Sequence, residues 1–176
     1  MRRRHPDLPR LWLLTDERQG EGLWDAIRRL PRGSGVIVRH YSLALEEREE
    51  LFRRIRRSRR GLVLAWSGSA ADALRLRAGA VYGAERCACR LPRLYPVHDR
   101  PEIVTAERSG AALLLLSPVY PTRTHPGTKA LGPLRFAALT RMTRVPVLAL
   151  GGMTPRCAKR MLRMGAAGWA AIDGLS

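Results

Sequence analysis

Residues that suit phosphate binding lie in two loops of the second half of the chain. An apolar run at 111–116 precedes a loop rich in proline, hydroxyl and basic side chains. Its candidate ligand-binding residues are Thr122, Arg123, Thr124, His125 and Lys129. A second apolar run at 145–150 precedes Gly151 and Gly152. A glycine pair before a helix lets backbone N–H groups approach a phosphate, and the helix dipole favours its negative charge. The two loops predict a phosphate-binding site.

The elements around these loops predict a strand–helix–strand unit. Short apolar runs bounded by turn residues are typical of strands that are buried on both faces of a parallel sheet. Residues 134–142 predict the intervening helix. Its apolar residues recur at helical spacing and are Leu134, Ala137, Ala138 and Met142. Thr154 suits the N-cap of a following helix and Pro155 its first position.

The same alternation of strand and helix extends over the chain from Leu11 onward. The predicted strands are 11–16, 35–40, 61–66, 78–83, 93–98, 111–116, 145–150 and 168–172. Eight strands with helices between them favour an α/β fold of the (β/α)₈ TIM-barrel type. We expect residues 1–10 to form an N-terminal tail and 11–176 to form a single, short barrel domain that lacks the eighth helix. Its exposed flank would then suit a homodimer, unless the sequence is truncated.

Composition narrows the classes of partner. The net charge is +17, and all but two of the 32 basic residues are arginine. These arginines are spread over the predicted helices, whereas a nucleic-acid site is expected to form a patch. Three cysteines form no even disulfide framework. No apolar run is long enough for a signal segment or a membrane span, so we expect a cytoplasmic protein with no membrane partner.

Further polar residues follow other predicted strands. Arg39 and Tyr41 follow the second strand, Trp66 ends the third, and Asp173 and Gly174 follow the eighth. On a barrel, all strand C-terminal ends meet at one face, where the loops after strands seven and eight commonly hold phosphate. The candidate residues are therefore predicted to share one site.

The motifs resemble those of a known superfamily. SPVYPTRTHPGTKALG (117–132) followed by VPVLALGGM (145–153) resembles the signature of the thiamine phosphate synthase and TenI superfamily, and LWLLTDER and GVIVRH resemble its first two strands. The resemblance implies a (β/α)₈ barrel. It also implies a transferase of thiamine biosynthesis, which joins an aminopyrimidine-methyl diphosphate to thiazole phosphate, with Mg²⁺, giving thiamine monophosphate and pyrophosphate.

The resemblance also implies roles for particular residues. The thiazole phosphate would be bound by Thr122, the Arg123 backbone, Thr124, Gly151, Gly152, Asp173 and Gly174. Arg39 would pair with the diphosphate, because a guanidinium fork suits phosphate oxygens. His125 stands where the superfamily has a loop lysine, and Lys129 is an alternative cation. Tyr41 and Trp66 would lie on the pyrimidine side.

Several positions depart from the superfamily pattern. Trp66-Ser67 replaces an Asn-Asp pair whose Asp helps to hold magnesium, so Mg²⁺ is expected but its ligands are not found in the sequence. Ser117 replaces a histidine of the TenI subfamily. Two alternatives to the synthase therefore stay open: a TenI-like thiazole tautomerase, or a non-catalytic binder of thiazole or thiamine phosphate. A basic barrel that binds nucleic acid is a further alternative.

Overall fold

Eight parallel strands close into a barrel in the computed structural model, which describes residues 8–83, 90–122 and 129–175. Each strand pairs with its neighbours in chain order, and β8 pairs with β1. The strands are β1 (Leu11–Leu14), β2 (Gly35–Val38), β3 (Val63–Ser67), β4 (Ala80–Tyr82), β5 (Arg93–Val97), β6 (Leu113–Leu116), β7 (Val147–Ala149) and β8 (Gly168–Ala171). The predicted (β/α)₈ barrel is confirmed.

Six α-helices surround the barrel in the described part of the chain. They are α1 (Gly22–Arg29), α2 (Leu45–Ser58), α3 (Ala70–Arg75), α4 (Arg100–Arg108), α5 (Gly132–Thr140) and α6 (Pro155–Arg163), and a short 3₁₀ turn, Glu17–Gln19, follows β1. Residues 84–89, between β4 and β5, lie outside the described residues. None of the helices in 8–83, 90–122 and 129–175 is long and apolar enough to cross a bilayer.

Alternating strand residues fill two kinds of core. Trp12, Leu14, Ile37 and their equivalents on other strands pack inside the barrel. The intervening residues pack outward against the helices. Gly35 pairs with Trp12, and a Cβ at Gly35 would lie 2.2 Å from the Trp12 ring. Burial of both strand faces explains why the strands are apolar runs without a polar alternation.

The structure corrects the predicted buried face of α5. Phe136, Ala137 and Leu139 are buried, whereas Leu134 is 80% exposed and Met142 is 52% exposed. A helix with apolar residues on several sides has no single face that periodicity can select. Packing of the larger Phe136 against the outer core decides the orientation.

The seam between β8 and β1 is closed by residues near the end of the described chain. Leu175 packs against both outer apolar clusters, which lie on either side of this seam. The Gln19 side chain donates to the Ile172 carbonyl at 2.7 Å and to the Leu14 carbonyl at 3.3 Å. A turn, not a helix, follows β8 in the residues described up to 175. These contacts hold the first and last strands together at the C-terminal end of the barrel, which we call the mouth.

Candidate functional site

The loop after β6 lies directly along the end of β7. The Val119 N–H donates to the Leu150 carbonyl at 2.9 Å, and the Tyr120 N–H donates to the Gly151 carbonyl at 3.0 Å. These bonds continue the pairing of β6 with β7 beyond the strands themselves. The two loops that the sequence singled out are therefore neighbours at the mouth.

The diglycine is required by both backbone conformation and space. Gly151 has φ +90° and Gly152 has φ +62°, which are conformations that favour glycine. A Cβ at Gly151 would lie 2.8 Å from the Pro118 Cα, and a Cβ at Gly152 would lie 2.5 Å from the Pro121 carbonyl oxygen. Any larger residue would push the two loops apart.

One cavity of about 350 Å³ opens between the loops after β6, β7 and β8. Five predicted phosphate-binding residues line it, namely Thr122, Gly151, Gly152, Asp173 and Gly174. Ser117, Pro118 and Thr154 also line it, although the sequence did not mark them as binding residues. Among the described residues, the N–H groups of Gly151, Gly152, Asp173 and Gly174 donate to no protein acceptor. Such amides suit an oxyanion.

Helix α6 begins at the edge of this cavity. The Thr154 hydroxyl accepts a hydrogen bond from the Cys157 N–H at 3.3 Å, and Pro155 occupies the first turn. The predicted N-cap and first helical residue are thus confirmed. The positive end of the α6 dipole adds to the attraction for an anion in the cavity.

Arg39 lines the same cavity and is held by an ion pair. Its Nη2 lies 3.0 Å from Asp16 Oδ2, and its Nε donates to the Thr15 carbonyl at 3.3 Å. A hydrogen bond from Arg18, whose Nε lies 2.6 Å from Asp16 Oδ1, lowers the pKa of Asp16, and the Arg39 charge acts in the same direction. Arg39 is therefore oriented, but its charge is partly compensated by Asp16.

Tyr82 is a mouth residue that the sequence did not single out as functional. Its side chain is buried in the barrel interior, and burial raises the pKa of its hydroxyl to about 12, although the neighbouring Arg39 acts in the opposite direction. Tyr82 therefore keeps its proton at neutral pH. It can donate a hydrogen bond next to Arg39.

Asp173 brings a carboxylate to the phosphate-suited cavity. The pKa of Arg18 is raised first by its hydrogen bond to Asp16 and further by the charges of Asp16 and Asp173. Arg18 therefore partly compensates the charge of Asp173. This weakens the repulsion that the carboxylate would exert on a bound anion.

Comparisons with known proteins point to thiamine-phosphate synthases. Residues 95–175 match the family model described as thiamine monophosphate synthase. The chain is 27% identical over 181 residues to a protein of Aquifex aeolicus provisionally described as thiamine-phosphate synthase 2, which covers 95% of this chain and 97% of that protein. It is 31% identical over 80 residues to the thiamine-phosphate synthase of Methanosarcina barkeri, covering 45% of this chain and 36% of that protein.

A solved structure has the same fold. The thiamine phosphate pyrophosphorylase of Pyrococcus furiosus superposes with a TM-score of 0.75 at 22% identity, over 93% of this chain and 85% of that chain. Together these comparisons support a relationship to the thiamine phosphate synthase/TenI superfamily.

The side of the mouth that the superfamily resemblance assigns to the pyrimidine differs from expectation. Tyr41 lies at the rim, 62% exposed, and its hydroxyl is 2.7 Å from the Ser67 hydroxyl. The structure corrects the placement of Trp66, which is fully buried on the outer face of β3 and packs edge-on against Phe52 at 5.8 Å. Because Ala65 points into the barrel, its neighbour Trp66 must point outward. Trp66 cannot stack on a ligand in the mouth from this position.

The remaining predicted residues lie outside the cavity or outside the described chain. Lys129 is exposed and does not line the cavity in the described structure. Arg123, Thr124 and His125 lie outside the described residues. Their binding or catalytic roles stay predictions.

The described residues do not fit Mg²⁺, which thiamine phosphate synthases use. Within 8–83, 90–122 and 129–175, no three His, Cys, Asp or Glu residues are grouped to hold a metal. Two carboxylates at the mouth already accept hydrogen bonds: Asp16 from Arg18 and Arg39, and Glu17 from Ser42. Mg²⁺ needs oxygen ligands in near-octahedral geometry, and carboxylates engaged in this way are not free to supply them.

Proposed function

We propose that the chain is a transferase of the thiamine phosphate synthase type. The thiazole nitrogen of thiazole phosphate would form a bond to the methylene carbon of the aminopyrimidine, while the bond from that carbon to the diphosphate oxygen breaks. The products would be thiamine monophosphate and pyrophosphate. The observation that carries this proposal is the single cavity that joins the loops after β6, β7 and β8.

Binding of thiazole phosphate, the phosphate monoester, is the best-supported part of this proposal. A phosphate in the cavity would meet the unpartnered N–H groups of Gly151, Gly152 and Gly174 and the positive end of α6. Thr122 would add its hydroxyl at the edge of the same cavity. Backbone amides bind phosphate oxygens without adding charge, so the charge of Asp173 would be offset by Arg18.

Binding of the diphosphate would depend on the opposite wall of the cavity. Arg39 lines this wall, and a guanidinium offers paired N–H donors to phosphate oxygens. The diphosphate would compete with Asp16 for this guanidinium. His125 and Lys129 would supply further positive charge from the loop after β6. Tyr41 would cover the aminopyrimidine from the rim.

A second candidate is a TenI-like protein, either a tautomerase or a non-catalytic binder of thiazole or thiamine phosphate. The hydrogen-bonded carboxylates at the rim favour it, because they leave no metal site among the described residues. A tautomerase needs an acid or base within reach of its substrate. Ser117, where the TenI subfamily has a histidine, cannot fill that role, so His125 would have to.

An assay of product formation tests the main proposal. The purified chain is incubated with thiazole phosphate and aminopyrimidine-methyl diphosphate, with and without Mg²⁺, and thiamine monophosphate is quantified. A thiamine phosphate synthase of the same superfamily serves as the positive control. Absence of product above background, under conditions where that control works, would remove the synthase proposal.

Calorimetric titrations separate the second candidate from an inactive protein. Thiazole phosphate and thiamine monophosphate are titrated separately into the chain. Saturable binding without product formation supports a binder, and proton exchange in the thiazole on addition of the chain supports a tautomerase. If neither thiazole phosphate nor thiamine monophosphate binds, the cavity is excluded as a phosphate site.

A further inference from the structure

Arg48 places a guanidinium between two aromatic rings at the rim of the barrel. It lies in the first turn of α2, and its Cζ is 4.5 Å from the Trp66 ring centroid and 5.9 Å from that of Tyr41. Its Nη1 donates to the Arg39 carbonyl at 3.3 Å. Its Nε is buried and has no hydrogen-bond partner.

Two other arginines of this region form ion pairs with carboxylates. Arg39 pairs with Asp16, and Arg75 pairs with Glu49 and Asp72. Arg48 forms no such ion pair in the described residues, although its charge is among the interactions that lower the pKa of Asp72. Burying an unpaired charge costs free energy, and stacking on aromatic rings returns only about 0.5–2 kcal/mol. An anionic ligand would complete the compensation.

The position of this charge coincides with the missing metal site. Ser67 stands where the superfamily resemblance places the aspartate that helps to hold magnesium. Arg48 lies beside the same loop, since a Cβ built on Gly68 would be 3.5 Å from Arg48 Nη2. A permanent positive charge therefore lies next to the loop on which the superfamily holds its cation.

We propose that Arg48 and Arg39, with the hydroxyls of Tyr41 and Ser67, form a metal-independent site for a diphosphate group. The Tyr41 ring lies close to both guanidinium groups, with its centroid 6.0 Å from Arg39 Cζ and 5.9 Å from Arg48 Cζ. Its hydroxyl is bonded to Ser67, so two hydroxyls accompany the two cations. This inference rests on the proposed function, because it assigns the second anionic group of the same site.

Titration of inorganic pyrophosphate into the full chain tests the inference. With excess EDTA, we expect saturable binding in isothermal titration calorimetry, and Arg48→Met should weaken it by about tenfold or more, because hydrogen bonds to charged groups are lost. Arg48→Lys keeps the positive charge but loses the paired N–H donors of the guanidinium. We therefore expect it to weaken pyrophosphate binding less than Arg48→Met does. The matched control is Arg54→Met, because Arg54 lies on the same helix and stacks on Trp24 at 4.7 Å. The affinity of Arg54→Met for pyrophosphate should equal that of the wild type.

Three results would overturn the inference: no pyrophosphate binding, binding only after Mg²⁺ is added, or equal affinities of Arg48→Met and Arg54→Met. If Arg48→Met does not fold, as judged by its thermal denaturation, an Arg48→Lys affinity equal to that of wild type is the overturning result. Product formation is a separate readout. If the chain binds pyrophosphate in EDTA but forms no thiamine monophosphate, this inference stands and the synthase proposal fails.

Discussion

Gly152 is held in a left-handed backbone conformation against the loop after β6. Its φ is +62°, and the space for a Cβ is already occupied by the Pro121 carbonyl and the Tyr120 Cβ. A side chain here would meet two obstacles at once. Backbone strain and steric conflict would both act on the cavity wall.

Gly152→Ala is expected to destabilise the protein by about 1–3 kcal/mol and to weaken thiazole phosphate binding about tenfold or more, because each displaced amide costs a charge-assisted hydrogen bond. Urea denaturation and calorimetry measure the two effects. Gly165→Ala is the control, because Gly165 also has positive φ, at +100°, but its nearest neighbour would be 3.7 Å from the new Cβ. Equal binding losses in both variants would contradict a role for Gly152 in the site.

His40 carries a prediction about pH. Burial lowers the pKa of His40, and the imidazole Nδ1 lies 2.9 Å from the Thr15 hydroxyl. The folded protein therefore binds this proton less tightly than the unfolded chain. The resulting stability is present above the ordinary histidine pKa of about 6.5 and is lost as the pH falls through the lower folded pKa.

His40→Asn is expected to remove this part of the pH dependence. Asparagine tolerates the positive φ of residue 40, which is 26°. The free energy of unfolding, measured by urea denaturation between pH 7 and pH 5, should fall more steeply for the wild type than for His40→Asn. His98→Asn, which changes an exposed histidine beside Glu102, should keep the wild-type steepness of this decline. Identical pH profiles of wild type and His40→Asn would refute the assignment.

At the scale of elements, α5 shows how a helix can be predicted correctly and oriented wrongly. The helix exists close to its predicted position, but three of its four predicted apolar positions, Leu134, Ala138 and Met142, are exposed, and Met142 follows the end of the helix. Phe136 is fully buried against the outer core. The difference has a direct energetic consequence.

Phe136→Ala is expected to destabilise the protein by about 3–5 kcal/mol, because it leaves a cavity in the core. Leu134→Ala should change the free energy of unfolding by less than about 0.5 kcal/mol, as is usual for exposed positions. Both values follow from urea denaturation monitored by circular dichroism. Comparable losses in the two variants would mean that the helix is rotated relative to the face described above.

At the scale of the whole molecule, barrel closure depends on the seam between β8 and β1. Leu175 bridges the two outer apolar clusters there, next to the half-buried Trp169.

Charge is also unevenly distributed along the chain, because no Asp or Glu occurs between Ser109 and Ile172. The predicted homodimer stays a prediction, which sedimentation velocity of the full chain would test.

Leu175→Ala is expected to destabilise the protein by about 1–2 kcal/mol, because a half-buried side chain loses part of its apolar contact. Leu162→Ala is the control, because Leu162 on α6 is 46% exposed, and it should have little effect on stability. Thermal denaturation compares the variants. If Leu175→Ala is as stable as the wild type, the seam does not depend on this residue.

The sequence by itself predicted the barrel, the resemblance to the superfamily and the two loops at 117–132 and 145–153. Apolar runs, glycine pairs and helix caps act over a few residues, so their consequences are visible in the local pattern. The N-cap Thr154 follows from such a local rule.

Only the tertiary structure decided which way Trp66 and α5 face, and which partners Arg39 and Arg48 have. These outcomes depend on strand register and on contacts between residues distant in the chain, and a one-residue shift moves a strand side chain to the opposite face. Asp16 is 23 residues from Arg39, yet the β1–β2 pairing brings them within 3.0 Å. The same folding leaves Arg48 without an ion pair among the described residues.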